Sequence, residues 1–311
     1  KIELVTLDDG RDPKRAAENA RRLINENKVF ALAMSRSTPT SEALLPIVTE
    51  FKVPLIGPGT GALSLHQPFN RYVFNTRAKY QTEAVRIVDH LASVGIQRVA
   101  VIYQGDSFGK DALVGFELGL KEKGIKPVAV IALDGAKPES SIPGAVEALR
   151  KADPQAIAIA GLLKPTAEFI KAMKAKGVFS QFLTLSNLSA DGFIKELGDA
   201  APGIIVTQVM PAPGKVATPL VREYRSAISE SPALGAVASY TAMEGYVTAK
   251  VLVEGLRRSG KNPTREGLVE AFEGMRNFDL GGFTIGFSPT NHSGSNFIDI
   301  TIIGKDRTFR R

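Results

Sequence analysis

Short apolar runs alternate with amphipathic stretches along the first two thirds of the chain. The β-rich runs fall at residues 2–7, 30–34, 53–56, 99–103, 128–132, 156–160, 182–185 and 204–208. Most are rich in Val and Ile, and polar or Gly- and Pro-containing stretches bound them, as buried strands of a parallel sheet are. Between them apolar residues recur at helical spacing. Leu44, Ile47, Val48 and Phe51 make one stripe, Val85, Val88 and Ala92 a second, and Phe169, Ile170 and Met173 a third. Asp12-Pro13 supplies an N-cap and a first-turn proline for the opening helix. Strands alternating with helices predict right-handed βαβ units and an α/β fold built on a doubly wound, mainly parallel sheet. From about Thr218 the pattern changes. Three helices are predicted at 218–228, 239–258 and 264–274, followed by β-rich segments at 282–287 and 297–303. No low-complexity segment and no tandem repeat interrupts this order.

Two polar loops follow the carboxyl ends of predicted strands. The first, Ser35-Arg36-Ser37-Thr38-Pro39-Thr40, also opens a helix, with Thr38 as the expected N-cap and Pro39 at the first helical position. The second is Gly57-Pro58-Gly59-Thr60-Gly61-Ala62. In an open parallel sheet this edge is where small ligands bind. A helix start adds unpaired N–H groups and a positive dipole end, which favour a carboxylate or phosphate. The same hydroxyls serve equally well as caps and turn formers, so the loops alone leave both readings open. A dinucleotide loop is a poor fit, because GPGTG lacks G-x-G-x-x-G spacing and holds Pro58.

The 311 residues, 44% apolar and 23% charged, have ordinary globular composition and fit about two domains. With no cysteine, disulfides, iron–sulfur clusters and thiol nucleophiles are excluded. No apolar run reaches the roughly 18 to 20 residues of a membrane span. The net charge of +7 is spread over pairs such as Lys14-Arg15, Arg21-Arg22 and Arg257-Arg258 on polar helix faces. Such a distribution describes solvated surface better than a nucleic-acid interface, and no nucleic-acid-binding motif accompanies it. His66, His90 and His292 lie far apart without metal-ligand spacing, and neither a nucleophile elbow nor a Walker A loop occurs. Neither an enzyme, a metal nor a cofactor is therefore expected. His66 is expected on a loop surface, and Asp8-Asp9 as turn formers. The chain opens inside an apparent strand, which suggests that an export signal or earlier segment precedes it.

Several segments in order carry a family resemblance: LVTLDDGRDPKRAAENARRLI, STPTSEA, VPLIGPGTGA, YVFNTRAKYQTEA, VAVIYQGDSFGKDAL and SYTAMEGYVTAKVLVEGL. Together they resemble type I periplasmic binding proteins of the branched-chain amino acid group, the solute receptors of ABC importers. The resemblance implies two doubly wound α/β lobes joined by three hinge crossovers, with the ligand in the interlobe cleft. Crossovers are expected near 74–76, 206–209 and 278–284. Lobe one would comprise residues 1–76 plus 208–277, and lobe two 77–207 plus 278–311. Family members begin with a further strand and helix, and that unit is expected to be missing from this chain.

By the same resemblance, Ser35, Ser37, Thr38, Gly59, Thr60 and Gly61 would hold a ligand carboxylate. Arg77 and Tyr80, with Lys79 and Gln81, follow the first crossover, and Arg77 could clamp a carboxylate bidentately. Phe108 fills one aromatic position of the family, and Leu162 or Leu163 another. The acidic position that meets a ligand ammonium falls near Ser186 and Asn187, where no carboxylate stands; Asp106 and Asp191 are the nearest alternatives. A buried ammonium without an anion is costly. Aromatic or aliphatic carboxylates are therefore candidates beside branched-chain amino acids. Glu244 is expected to be solvated or structural. The implied partners are a small carboxylate ligand and a membrane ABC permease, with no nucleic acid, for a monomeric periplasmic protein that works by hinge closure. The alternative is a ligand-sensing domain of a regulator with the same fold.

Overall fold

A computed structural model describes residues 2–214, 217–231 and 237–311. In chain order the elements begin with α1 (Pro13–Asn25), β1 (Leu32–Ala33), α2 (Thr38–Glu50), β2 (Leu55–Ile56), β3 (Val73–Phe74), α3 (Tyr80–Ser93) and β4 (Val99–Gln104). Next come α4 (Ser107–Glu122), β5 (Ala129–Leu133), α5 (Pro138–Ala152), β6 (Ala156–Ala160), α6 (Leu163–Ala175), β7 (Gln181–Thr184), α7 (Asp191–Leu197) and β8 (Ile205–Gln208). The last are α8 (Pro219–Ser229), α9 (Tyr240–Arg258), α10 (Arg265–Glu273), β9 (Phe278–Asp279), β10 (Thr284–Ile285), β11 (Asp299–Ile303) and β12 (Phe309–Arg310). The chain divides into two compact units, residues 1–79 with 210–297 and residues 80–209 with 298–311.

In the first unit β1, β2 and β3 form a parallel sheet with Leu32 opposite Leu55 and Ile56 opposite Phe74. Leu55, Ile56 and Phe74 are fully buried. The Phe74 ring packs against Phe272 at 4.7 Å and Phe287 at 5.3 Å and stacks on His292 at 3.9 Å. Gly255 of α9 lets α10 come close: a β-carbon there would stand 2.3 Å from Phe272.

Two expectations are corrected in this unit. Residues 2–7 form no strand: the apolar composition is present, but no ladder partner among the described residues pairs with it, and Leu4 is 85% exposed. A strand exists only through its pairing. Residues 278–297, expected in the second lobe, pack in the first unit. Asn75 N–H donates to His292 O at 2.9 Å, Gly294 N–H donates to Asn75 O at 2.7 Å, and Phe287 lies on Phe74.

The second unit is a seven-stranded sheet in the order β12-β11-β8-β7-β6-β4-β5. It is parallel from β5 to β8 and antiparallel where β11 joins β8 and β12 joins β11. Every residue of β6, AIAIA, is buried, as befits a central parallel strand covered on both faces. Small residues let α3 and α4 touch: a β-carbon at Gly115 would stand 2.5 Å from Gln81 Cα. No helix among the described residues is long and apolar enough to cross a membrane.

His66, expected on the surface, is buried beside Ser293, whose hydroxyl lies 2.7 Å from its Nδ1. Burial, with the nearby charges of Lys79 and Arg77, pushes its pKa down to about 3. His292 donates from Nδ1 to Val73 O at 3.1 Å, and burial holds its pKa at about 4. Both rings stay neutral in the folded protein over a range where an unfolded chain, titrating near 6.5, takes up protons. Stability therefore falls as pH drops below about 6.5, by up to about 1.4 kcal/mol per pH unit for each histidine, until the native pKa is passed. Urea unfolding measured from pH 7 to pH 4 should show this slope, and His292→Gln should remove about half of the histidine part. An unchanged slope in that variant would mean that His292 is already free to ionise in the folded state.

Candidate functional site

The carboxyl edge of the first unit's sheet is built from two loops. After β1 the chain turns through Met34 (φ 57°) and Ser37 (φ 69°) into α2. Ser37, not Thr38, is the N-cap, so the helix begins one residue earlier than expected. Its φ 69°, ψ 152° conformation lies in a region nearly reserved for glycine. Ser37 Oγ bonds Thr40 Oγ1 at 2.8 Å and makes no bond to the first-turn N–H groups, whereas Asp12 and Asp106 cap α1 and α4 through their side chains. Thr40 also reaches the Arg36 carbonyl.

The loop after β2 is stitched to this turn. Gly59 N–H donates to Ser35 O at 2.6 Å, the Thr38 and Thr60 hydroxyls meet at 2.7 Å, and Ser35 Oγ lies 2.9 Å from Ser41 Oγ. The structure thus joins Ser35, Thr38, Gly59 and Thr60 in one bonded cluster, with Ser37 at its helix end and Gly61 next in the loop. Gly57 makes the approach of α9 possible, since a β-carbon there would stand 2.4 Å from the Thr248 hydroxyl. A hydroxyl pair uses one of its two hydrogens internally and keeps the other to donate. Thr38 and Thr60, both buried, therefore retain one O–H between them beside the α2 N-terminus. This is donor-rich chemistry suited to an anion.

Arg77 stands apart from this cluster. It is 2% exposed, and its Nη1 donates to Glu244 Oε1 at 3.2 Å. Glu244 itself is buried on α9 between Met243 and Val247, so its role is structural. Sequence reading could have matched the two, because a carboxylate set in an apolar helix stripe needs a cation.

The second unit places Tyr80 at the start of α3, its ring edge-on to Phe108 at 4.9 Å, and both are buried. Asp106 caps α4 by accepting from Gly109 N–H at 3.0 Å. Leu162 is the half-buried N-cap of α6, and Leu163 opens that helix. Ser186 turns inward. Its N–H donates to Glu83 Oε2 at 2.9 Å and its hydroxyl to Oε1 at 2.8 Å, while Thr207 Oγ1 donates to Oε2 at 2.5 Å. Glu83, fully buried, went unnoticed in the sequence, although it shares the α3 face of Tyr80 and Ile87. Asn187 Nδ2 donates to Gly161 O at 2.9 Å, and its Oδ1 is buried without a partner. Ser107 Oγ, in the first turn of α4, is likewise buried and unpartnered. Asp191 is exposed at the start of α7.

Among the described residues no group of three or more metal-ligating side chains is placed to hold a metal ion. Two surface hollows in the first unit, about 420 and about 530 Å³, are lined by residues from 276–297 and 45–70 and include none of the predicted site residues.

A family model described as periplasmic binding protein matches residues 1–306. The crystal structure of a substrate-binding periplasmic protein from Ralstonia solanacearum shares 33% identity, covering 97% of this chain and 86% of that one, with a TM-score of 0.89. That of a possible leucine/isoleucine/valine-binding protein from Rhodopirellula baltica SH 1 shares 30%, covering 99% and 85%, with a TM-score of 0.90. Among curated relatives, the leucine-specific-binding protein of Salmonella typhimurium is 22% identical over 209 residues, 67% of this chain and 56% of that protein. The chain spans about half the length of the curated relatives it matches. These relatives are solute-binding proteins, not enzymes.

The buried pair at Arg77 and Glu244 gives a sharp test. Removing one partner strands a charge, so Arg77→Met and Glu244→Gln should each cost about 3–5 kcal/mol in urea unfolding. The double variant should lose far less than their sum, and strict additivity would show that the two groups do not interact.

Proposed function

We propose, from the premise that this chain belongs to the periplasmic binding protein family, that it is the periplasmic substrate-binding component of an ABC importer. Its solute is a small carboxylate: a branched-chain or other apolar amino acid, or an aromatic or aliphatic organic acid. The observation that carries this reading is the cluster at the start of α2, where Thr38 and Thr60 keep a hydroxyl hydrogen beside an uncapped helix N-terminus.

The chemistry follows from the parts. A carboxylate has two oxygens and up to four lone-pair sites. The α2 first turn offers N–H groups and the positive end of the helix dipole. Gly59 and Gly61 keep side chains out of the way, and the hydroxyls complete the donor set. The relatives named for leucine, isoleucine and valine support a ligand of this size. Ligand-linked closure, the mechanism that the resemblance implies, is a population shift between conformers, with the closed form docking on the permease.

A thermal-shift panel tests the reading. Leucine, isoleucine, valine and phenylalanine are set against benzoate, phenylacetate and 2-oxo acids. A true ligand at a hundred times its Kd stabilises the fold by about 2.7 kcal/mol and raises the midpoint accordingly. Thr38→Val should weaken that ligand about 10- to 100-fold, the cost of one charge-assisted hydrogen bond. Small-angle scattering should show a smaller radius of gyration with ligand. If no acid on the panel shifts the midpoint, the protein is not a receptor for this class.

A further inference from the structure

Two exposed ridges lie at one margin of the second unit. β5 ends the seven-stranded sheet, with β4 as its one ladder partner among the described residues. Its sequence, AVIAL, carries no charge and no proline, the usual means of blunting a free strand edge. Ala129 and Ile131 pack against the core that holds Ile142 and Val146 of α5. The even positions face the other way. Lys126, Val128, Val130, Ala132 and Asp134 are all exposed, Val130 by 42%.

The chain runs from β4 out to β5, then back past β4 to β6. Right-handed crossovers in opposite directions put α4 and α5 on opposite faces of the sheet, so α4 shares the face of the even positions. α4 carries a ridge of its own. Lys110, Val114, Leu118 and Glu122, spaced four apart, are all exposed, while Gly115 and Gly119 lie against α3.

Both ridges run from a lysine through apolar residues to a carboxylate, so each complements itself when turned end for end. Antiparallel pairing of β5 about Val130 sets Lys126 opposite Asp134 and Val128 opposite Ala132. Antiparallel packing of α4 about position 116 sets Lys110 opposite Glu122 and Val114 opposite Leu118. One axis serves both. Val130 stands opposite Val101, about 10 Å along β4 from Gln104. α4 runs back down from Ser107, and position 116 is about 14 Å along it, at nearly the same height.

We propose that this margin is an isologous interface, on which a second copy of this chain pairs β5 with β5 and α4 with α4 across a two-fold axis. The pairing satisfies the open edge and covers the exposed valines. It replaces the monomer expected from the family resemblance and is independent of the solute bound.

Sedimentation equilibrium over a range of protein concentrations should show a reversible dimer. Val130→Lys sets two lysines on the axis and should raise the dissociation constant at least about tenfold. Lys110→Glu and Glu122→Lys should each weaken the dimer, and the double exchange should restore it. Because the chain has no cysteine, Val130→Cys carries one thiol per copy. Residues directly opposite in an antiparallel pair have Cα atoms about 4.5–5.5 Å apart, within disulfide range. Mild oxidation should therefore cross-link Val130→Cys as a dimer and leave Phe179→Cys, at an exposed site before β7, uncross-linked. A protein that stays monomeric at every concentration overturns the proposal, and so does a dimer that Val130→Lys leaves unchanged. Circular dichroism reports whether Val130→Lys folds; where it does not, the charge exchanges decide, and a dimer indifferent to them overturns the proposal equally.

Discussion

A carboxylate removed from water must be surrounded by donors or matched by a cation, and that requirement organises both units. In the second unit Glu83 has no solvent exposure, so the turn after β7 and the hydroxyl of Thr207 on β8 are drawn to it. Three donors from two elements converge on a side chain of a third. The turn that carries Ser186 and Asn187 is consequently held by α3 rather than by its own short length. In the first unit Glu244 poses the same problem and Arg77 answers it, tying α9 to the residues just after β3. Burial of such a pair adds little net stability, but breaking it is expensive, which makes it a device for fixing one arrangement.

Much of the architecture was legible because strand and helix periodicities are local. The fully buried run at 156–160 reads directly as β6, since a central parallel strand has no polar face to disguise it. The helices α8, α9 and α10 were legible for the complementary reason, a clear cap at Thr218, Ser239 and Thr264. What the sequence hid was pairing. Residues 2–7 have the composition of a strand and no ladder partner. Residues 278–297 look like the β-rich start of a second-lobe segment, yet Phe287 belongs to the Phe74 and Phe272 cluster, a contact between positions more than two hundred residues apart.

The candidate site divides along the same line. Ser35, Thr38, Gly59 and Thr60 could be grouped from sequence because two loops follow neighbouring parallel strands, and their joining is almost forced by the register of β1 against β2. The shift of the N-cap from Thr38 to Ser37 depends on a backbone turn that a serine rarely adopts, and no propensity anticipates it. Glu83 was passed over, and the pairing of Arg77 with Glu244 was not foreseen, because the partner that fixes each is remote in sequence. Charge in an apolar stripe was the available signal, visible at Glu244 and at Glu83 alike.

The hydroxyl pair of Thr38 and Thr60 has a further property. Either oxygen can be the donor, so the pair has two directions, exchanged by rotating two light atoms. An acceptor arriving at one end selects a direction for the whole pair. Because Thr38 begins α2 and Thr60 lies in the loop after β2, that selection is felt in both loops at once, with no heavy atom displaced. The two loops therefore share one donor–acceptor direction, carried by hydrogens alone.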